Sequence, residues 1–172
     1  YADNPGNRRM VEETLNEGGD VVKPYQVPGT STVRVTLVWN DPPGFYSSSE
    51  NQRKPDLIHD LNVEVIGPNG TTYLPYVMPY VKTNVGSGTW DTSESLIETP
   101  ATTGTNHRDN VEQVVIPNPP VSGVYTTRVW HSRSFTNQVS KQPFSLILSG
   151  VNTNGSLSIT STPQNVATEG ST

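Results

Sequence analysis

The residues in this chain that could do chemistry are mainly carboxylates and amides at the ends of apolar, alternating segments. Asp41 follows one such segment, Asp60 precedes a second, and Asp109, Asn110 and Glu112 open a third. Hard cations such as calcium prefer oxygen ligands of these types, at roughly six to eight oxygens per ion. The spacing of an EF-hand loop is absent. The pattern therefore predicts either a calcium site formed by these five residues or a solvated polar rim.

A hydrolytic site is not indicated by the sequence. The chain has no cysteine, so it has neither a thiol nucleophile nor disulfides. The segment Gly29-Thr30-Ser31 is followed by a predicted strand and not by the helix that follows a serine nucleophile elbow. His59 and Asp60 are adjacent, and a strand would send their side chains to opposite faces. We expect a chain without catalytic activity of its own.

The strongest element that could position these groups is VRVTLVWNDPP, residues 33–43. Its apolar residues alternate with mostly polar ones, which is typical of a half-buried strand whose Trp39 packs in the core. Pro42 and Pro43 end the strand, because proline cannot donate to a sheet ladder. The strand therefore delivers Asp41 to the rim of the fold, where it is either a site residue or a turn residue.

The remaining strands are predicted from the same period of two and from turn signals such as Asn69-Gly70. They cover residues 21–27, 61–65, 71–74, 111–116, 124–131 and 144–149. If consecutive strands run antiparallel, the long loops 40–60, 75–110 and 132–142 all meet at one end. This arrangement predicts an antiparallel β-sandwich of about eight strands, with the acidic residues and all three histidines gathered at its loop end.

Composition limits the partners that can be expected. A net charge of -5 argues against a nucleic-acid surface, and no apolar run approaches the ~20 residues of a membrane helix. Because the chain begins with Tyr1, we expect it to be part of a longer protein. Residues 1–19 are expected to connect to a preceding domain, 20–151 to form the sandwich, and 152–172 to be a linker or the start of another domain. Residues 10–15 could form a short strand or a helical turn.

Aromatic residues in the long loop suggest a binding surface. Trp90 follows Tyr76 and Tyr80 in the loop 75–110, and Trp130 ends a predicted strand near the same end. Aromatic side chains of this kind hold sugar rings or an extended protein substrate at little entropic cost. They could equally pin the loop onto the sandwich or onto a neighbouring domain.

Four segments, in this order, carry a family resemblance: LVWNDPPG at 37–44, HDLNVEVIGPNG at 59–70, DNVEQVVI at 109–116, and GVYTTRVW with QPFSLILSG at 123–150. They resemble the β-sandwich that follows the catalytic domain in many secreted subtilisin-like serine proteases. The resemblance covers about residues 20 to 150. It implies a jelly-roll-like fold related to the P-domain of kexin-like proteases. Asp41, Asp60, Asn110 and Glu112 fall on its recurrent polar positions, whereas position 62 is Asn where Asp is common.

The resemblance implies a secreted, non-catalytic accessory domain that stabilises the protease domain preceding it in the same chain. Some domains of this family bind calcium or large protein substrates, and we expect both here, in a monomer. Two other functions remain open at this point. One is a carbohydrate-binding module of a secreted glycosidase, and the other is a structural or adhesive β-sandwich repeat.

Overall fold

The structure, a computed structural model, describes residues 8–44, 57–79, 81–82, 90–91, 94–135 and 140–152. Within these ranges it contains twelve strands and one four-residue helix. In chain order they are β1 Arg8–Asn16, β2 Val21–Val27, β3 Val33–Val38, β4 Leu61–Ile66, β5 Thr72–Tyr73, β6 Tyr76–Val77, β7 Val81–Lys82, β8 Trp90–Asp91, α1 Glu94–Ile97, β9 Thr102–Thr103, β10 Val111–Ile116, β11 Gly123–His131 and β12 Lys141–Ser149. In the described part, no helix is long and apolar enough to span a membrane.

Eight of these strands form two four-stranded antiparallel sheets, which confirms the predicted all-β class. The first sheet has the order β1-β12-β3-β10, and the second has the order β2-β11-β4-β5. The pairs β6-β9 and β7-β8 form two small additional sheets. Each of the main strands was predicted within a few residues of its observed bounds, except β1.

The core lies between the two sheets and follows the predicted alternation. In β3, Val33, Val35 and Leu37 are fully buried, whereas Arg34 between them is exposed. Residues from both sheets belong to one hydrophobic cluster. Trp39 is buried in that cluster as expected, and its Nε1 donates to the carbonyl oxygen of His59 at 3.1 Å. The residue that follows β3 thus joins the core to the segment before β4.

Residues 8–16, assigned from the sequence to a connection before the sandwich, instead form the edge strand β1. This strand pairs with β12 over nine residues, and Leu15 is fully buried. The apolar period was obscured by Glu13, which lies at a core-side position of the strand. The Glu13 carboxylate is paired with the Lys23 ammonium group of β2. Its charge is therefore compensated by a residue of the other sheet. The end of the predicted linker, 153–172, lies outside the described residues.

The turns at 28–31, 67–70 and 117–123 lie at one end of the sandwich, and the described ends of the long loops lie at the other, as the antiparallel order of the strands predicted. The turn between β1 and β2 lies at the loop end, where the Gly18 amide donates to His131 Nε2 at 2.7 Å. At the turn end, the Thr32 hydroxyl donates to the carbonyl oxygen of Pro117 at 2.9 Å. Gly150 closes β12 with a φ of 76°, and a Cβ there would lie 2.2 Å from the carbonyl oxygen of Thr32. Only glycine fits this position, because a side chain would have to displace backbone atoms.

Candidate functional site

Backbone hydrogen bonds bring the three loops together at the loop end. The Trp39 amide donates to the carbonyl oxygen of Asn110 at 3.2 Å, and the Ser132 amide donates to that of Asp60 at 2.9 Å. The first loop therefore meets both the second and the third. The predicted clustering of Asp41, Asp60 and Asp109 at this end follows from these contacts.

Asp41 holds the end of the first loop. Its Oδ2 accepts from the Ile58 amide and its Oδ1 from the His59 amide, both at 2.7 Å. Of the two roles left open by the sequence, this geometry corresponds to the turn residue. Both oxygens are engaged with backbone, so Asp41 acts on the site by fixing the residues that lead into Asp60.

Asp60 is only 1% exposed and immediately precedes β4. Its Oδ2 accepts hydrogen bonds from His107 Nδ1 at 2.9 Å and from Arg133 Nε at 3.2 Å. Its Oδ1 is also buried, but no group of the described residues donates to it. A buried carboxylate oxygen without a donor is costly, and this makes it a candidate ligand for a cation.

Asn62 lies two residues further along, on the same face of β4, and is also 1% exposed. Its Nδ2 donates to the carbonyl oxygen of Asp60 at 3.1 Å and to Ser132 Oγ at 2.7 Å. These two acceptors fix the orientation of the side-chain amide. Oδ1 is therefore turned the other way, where it has no donor within the described part of the chain.

Glu112 supplies a third buried oxygen from β10, in the other sheet. Its side chain is 1% exposed, and its Oε2 accepts from the Val63 amide at 2.9 Å. Oε1 is buried and has no partner among the residues described. The pKa of Glu112 is raised to about 9, mainly by burial and to a smaller extent by the charges of Asp60 and Asp109, while the hydrogen bond from the Val63 amide lowers it. The carboxylate is thus costly to ionise in the absence of a cation.

Asp60, Asn62 and Glu112 each have one buried oxygen atom without a donor among the described residues, while the other polar atom of each side chain is bonded to protein. We refer to them as the three-oxygen site. The set is chemically suited to calcium, which takes carboxylate and amide oxygens and is neutralised by two carboxylates. No group of three or more His, Cys, Asp or Glu side chains that could hold a metal ion is found in the described residues. Asn62 belongs to none of these four residue types, and it would bind through its amide oxygen.

The other predicted metal residues lie beside this site. Asp109 is exposed, and its Oδ2 accepts from Nδ2 of the buried Asn106 at 3.0 Å. Asn110 donates through Nδ2 to the carbonyl oxygen of Trp39 at 2.8 Å, which ties the end of β3 to the start of β10. Asp109 therefore adds negative charge near Glu112, whereas Asn110 joins two strands.

Asn62, His107 and Arg133 were not predicted as site residues. For Asn62 a signal existed, because the period of two places it on the same face as Asp60. His107 and Arg133 lie in loops, where no periodicity indicates which way a side chain points.

The predicted substrate-binding aromatics are only partly described. Tyr76 lies in β6 and is 44% exposed. Trp130 is half-buried, and the Arg128 guanidinium lies over its ring at 5.0 Å from the centroid. For Trp90 the structure describes the backbone pairing with Lys82, and Tyr80 lies outside the described residues. A shared aromatic surface formed by these four residues stays a prediction.

No protein-family model matches this chain, and no curated protein matches it.

Proposed function

We propose that this chain is a non-catalytic accessory domain of a secreted subtilisin-like serine protease, and that a calcium ion bound at the three-oxygen site stabilises it. The observation that carries the proposal is the set of buried oxygens without donors on Asp60, Asn62 and Glu112. Their positions on two different sheets give the ion a structural role, because it would connect β4 to β10.

The link to proteases is supported by where the resembling segments lie in the fold. LVWNDPPG covers the end of β3, HDLNVEVIGPNG includes β4 and the turn after it, and DNVEQVVI includes β10. The two parts of the fourth segment belong to β11 and β12. The four segments thus cover residues of all four inner strands of the two sheets and of the edge strand β10, and they include Asp60, Asn62 and Glu112. A jelly-roll connectivity is supported by the strand orders β1-β12-β3-β10 and β2-β11-β4-β5.

The proposed partner is the catalytic domain that precedes this one in the same chain. The accessory domain would stabilise that enzyme outside the cell and present its loop end to a bulky protein substrate. The exposed Tyr76 supports a contact role for the segment that begins after β5.

The calcium site is tested by thermal and urea unfolding of the domain in calcium and in a chelator. A ligand that binds only the folded state stabilises it by about 2.7 kcal/mol at a hundredfold excess over its dissociation constant. We expect this gain in the wild type and its loss in Asp60→Ala. Asp20→Ala is the matched control, because Asp20 pairs with Arg128 on the outer face of the second sheet. If the wild type has the same free energy of unfolding in calcium and in chelator, the proposed calcium site is refuted.

The link to a protease is tested separately on the gene. We expect the reading frame upstream of Tyr1 to encode a subtilisin-like catalytic domain, and deletion of the whole sandwich, from residue 8 onwards, to shorten the half-life of that enzyme at elevated temperature. A glycosidase upstream would refute this part of the proposal and support a carbohydrate-binding module.

A further inference from the structure

We infer that His107 and Arg133 are positioning residues for the proposed calcium ion, and that they act by holding Asp60 Oδ2 so that only Oδ1 reaches the ion. The inference rests on the proposed function and specifies how the three-oxygen site is oriented. Neither residue supplies an oxygen of its own to the site.

The geometry around Asp60 carries the inference. His107 Nδ1 and Arg133 Nε approach the same oxygen, at 2.9 and 3.2 Å, from two different loops. The carboxylate is therefore held through Oδ2, while the buried Oδ1 has no donor among the described residues. Because Oδ2 already accepts two hydrogen bonds, Asp60 is expected to bind a cation through a single oxygen. Outer ligands of this kind commonly tune metal affinity.

The loop that carries Arg133 also contacts Asn62, the residue of β4 whose amide oxygen belongs to the three-oxygen site. The preceding residue, Ser132, accepts from Asn62 Nδ2 through its hydroxyl and donates its amide to the Asp60 carbonyl. One short segment after β11 thus contacts both Asp60 and Asn62. Glu112 is oriented independently, by the Val63 amide.

A simple countercharge role would have the opposite effect on calcium binding. The positive Arg133 side chain repels a cation nearby, so its removal strengthens binding if charge is all that it contributes. Loss of orientation instead weakens binding, because the freed carboxylate must be ordered by the ion. The direction of the change in affinity therefore distinguishes the two roles.

The experiment measures calcium affinity by calorimetry in the whole chain, together with terbium luminescence lifetimes in H2O and D2O, which count the waters on the bound ion. The variants are His107→Ala, His107→Asn and Arg133→Ala, with Arg128→Ala as the control, because Arg128 pairs with Asp20 and Glu64 instead. His107 and Arg133 side chains are 45% and 56% exposed, so we expect these variants to fold.

We expect each alanine variant at the site to bind calcium about 10- to 100-fold more weakly and terbium to gain a coordinated water. His107→Asn should restore most of the affinity, since its amide can donate where Nδ1 does. If the wild type binds calcium and both alanine variants bind it equally well or more tightly, the positioning role of His107 and Arg133 is refuted, while the calcium site itself is not. Absence of binding by the wild type would overturn the proposed calcium site itself.

Discussion

Replacing Glu112 with glutamine should have opposite effects on stability in the absence and in the presence of calcium. The pKa of Glu112 is raised from 4.5 to about 9 in the folded domain, mainly by burial. The folded state therefore holds a proton that the unfolded state releases between these two pKa values. It follows that the free energy of unfolding of the calcium-free wild type falls as the pH rises from about 4.5 towards 9.

The size of the effect follows from the same shift. At pH 7 the difference from the unfolded pKa is about 2.5 units, which corresponds to roughly 3–4 kcal/mol at about 1.4 kcal/mol per unit. Glutamine can still accept from the Val63 amide, but it has no proton to lose. In a chelator at pH 7, Glu112→Gln should be more stable than the wild type by an amount of this order, and the difference should vanish near pH 4.

Calcium should reverse the ranking, because the ion stabilises the ionised carboxylate that glutamine lacks. The assay is urea unfolding of both proteins at several pH values, in chelator and in saturating calcium. Glu64→Gln is the control, since Glu64 is an acid of the same type on β4 that pairs with Arg128. A pH-independent difference in chelator would contradict the raised pKa of Glu112, and a full calcium response in Glu112→Gln would show that Glu112 is not a ligand of the ion.

Two further substitutions test the supporting structure. Asp41→Ala should lower the free energy of unfolding by about 1–3 kcal/mol, because two backbone amides lose their acceptor, while the stabilisation by calcium measured in the same unfolding assay should persist. A complete loss of the calcium response would instead show that calcium binding requires Asp41. Gly150→Ala should destabilise by more than about 2 kcal/mol in chemical denaturation, since the new Cβ would lie 2.2 Å from the Thr32 carbonyl oxygen at a positive φ; a neutral effect would show that the turn relaxes freely.

Most of the sandwich could be predicted because its strands alternate cleanly and are separated by turn residues. In β3 and β12 every second residue is buried, so the local pattern carries the information. Strand β1 could not be assigned in this way. Glu13 interrupts the apolar face of this strand, and its charge is compensated by Lys23 of the other sheet. That pairing depends on the tertiary structure and not on the local sequence.

The candidate site was predicted where strands deliver its residues and missed where loops do. Asp60 and Glu112 stand at strand ends, so parity alone brought them to the same end of the sandwich. Asn62 was noted only as a departure from the resembling family, although its amide oxygen is one of the three buried acceptors. His107 and Arg133 reach Asp60 from irregular segments, whose conformation depends on contacts that no local pattern encodes.

The most direct test is a crystal structure of the domain grown in calcium, with anomalous data to identify the ion. We expect a calcium peak at roughly 2.3–2.6 Å from Asp60 Oδ1, Asn62 Oδ1 and Glu112 Oε1. Oδ2 of Asp60 should remain bonded to His107 and Arg133. The proposed site would be contradicted by a structure with calcium elsewhere or absent, in which a water molecule or the proton of a neutral Glu112 occupies this position.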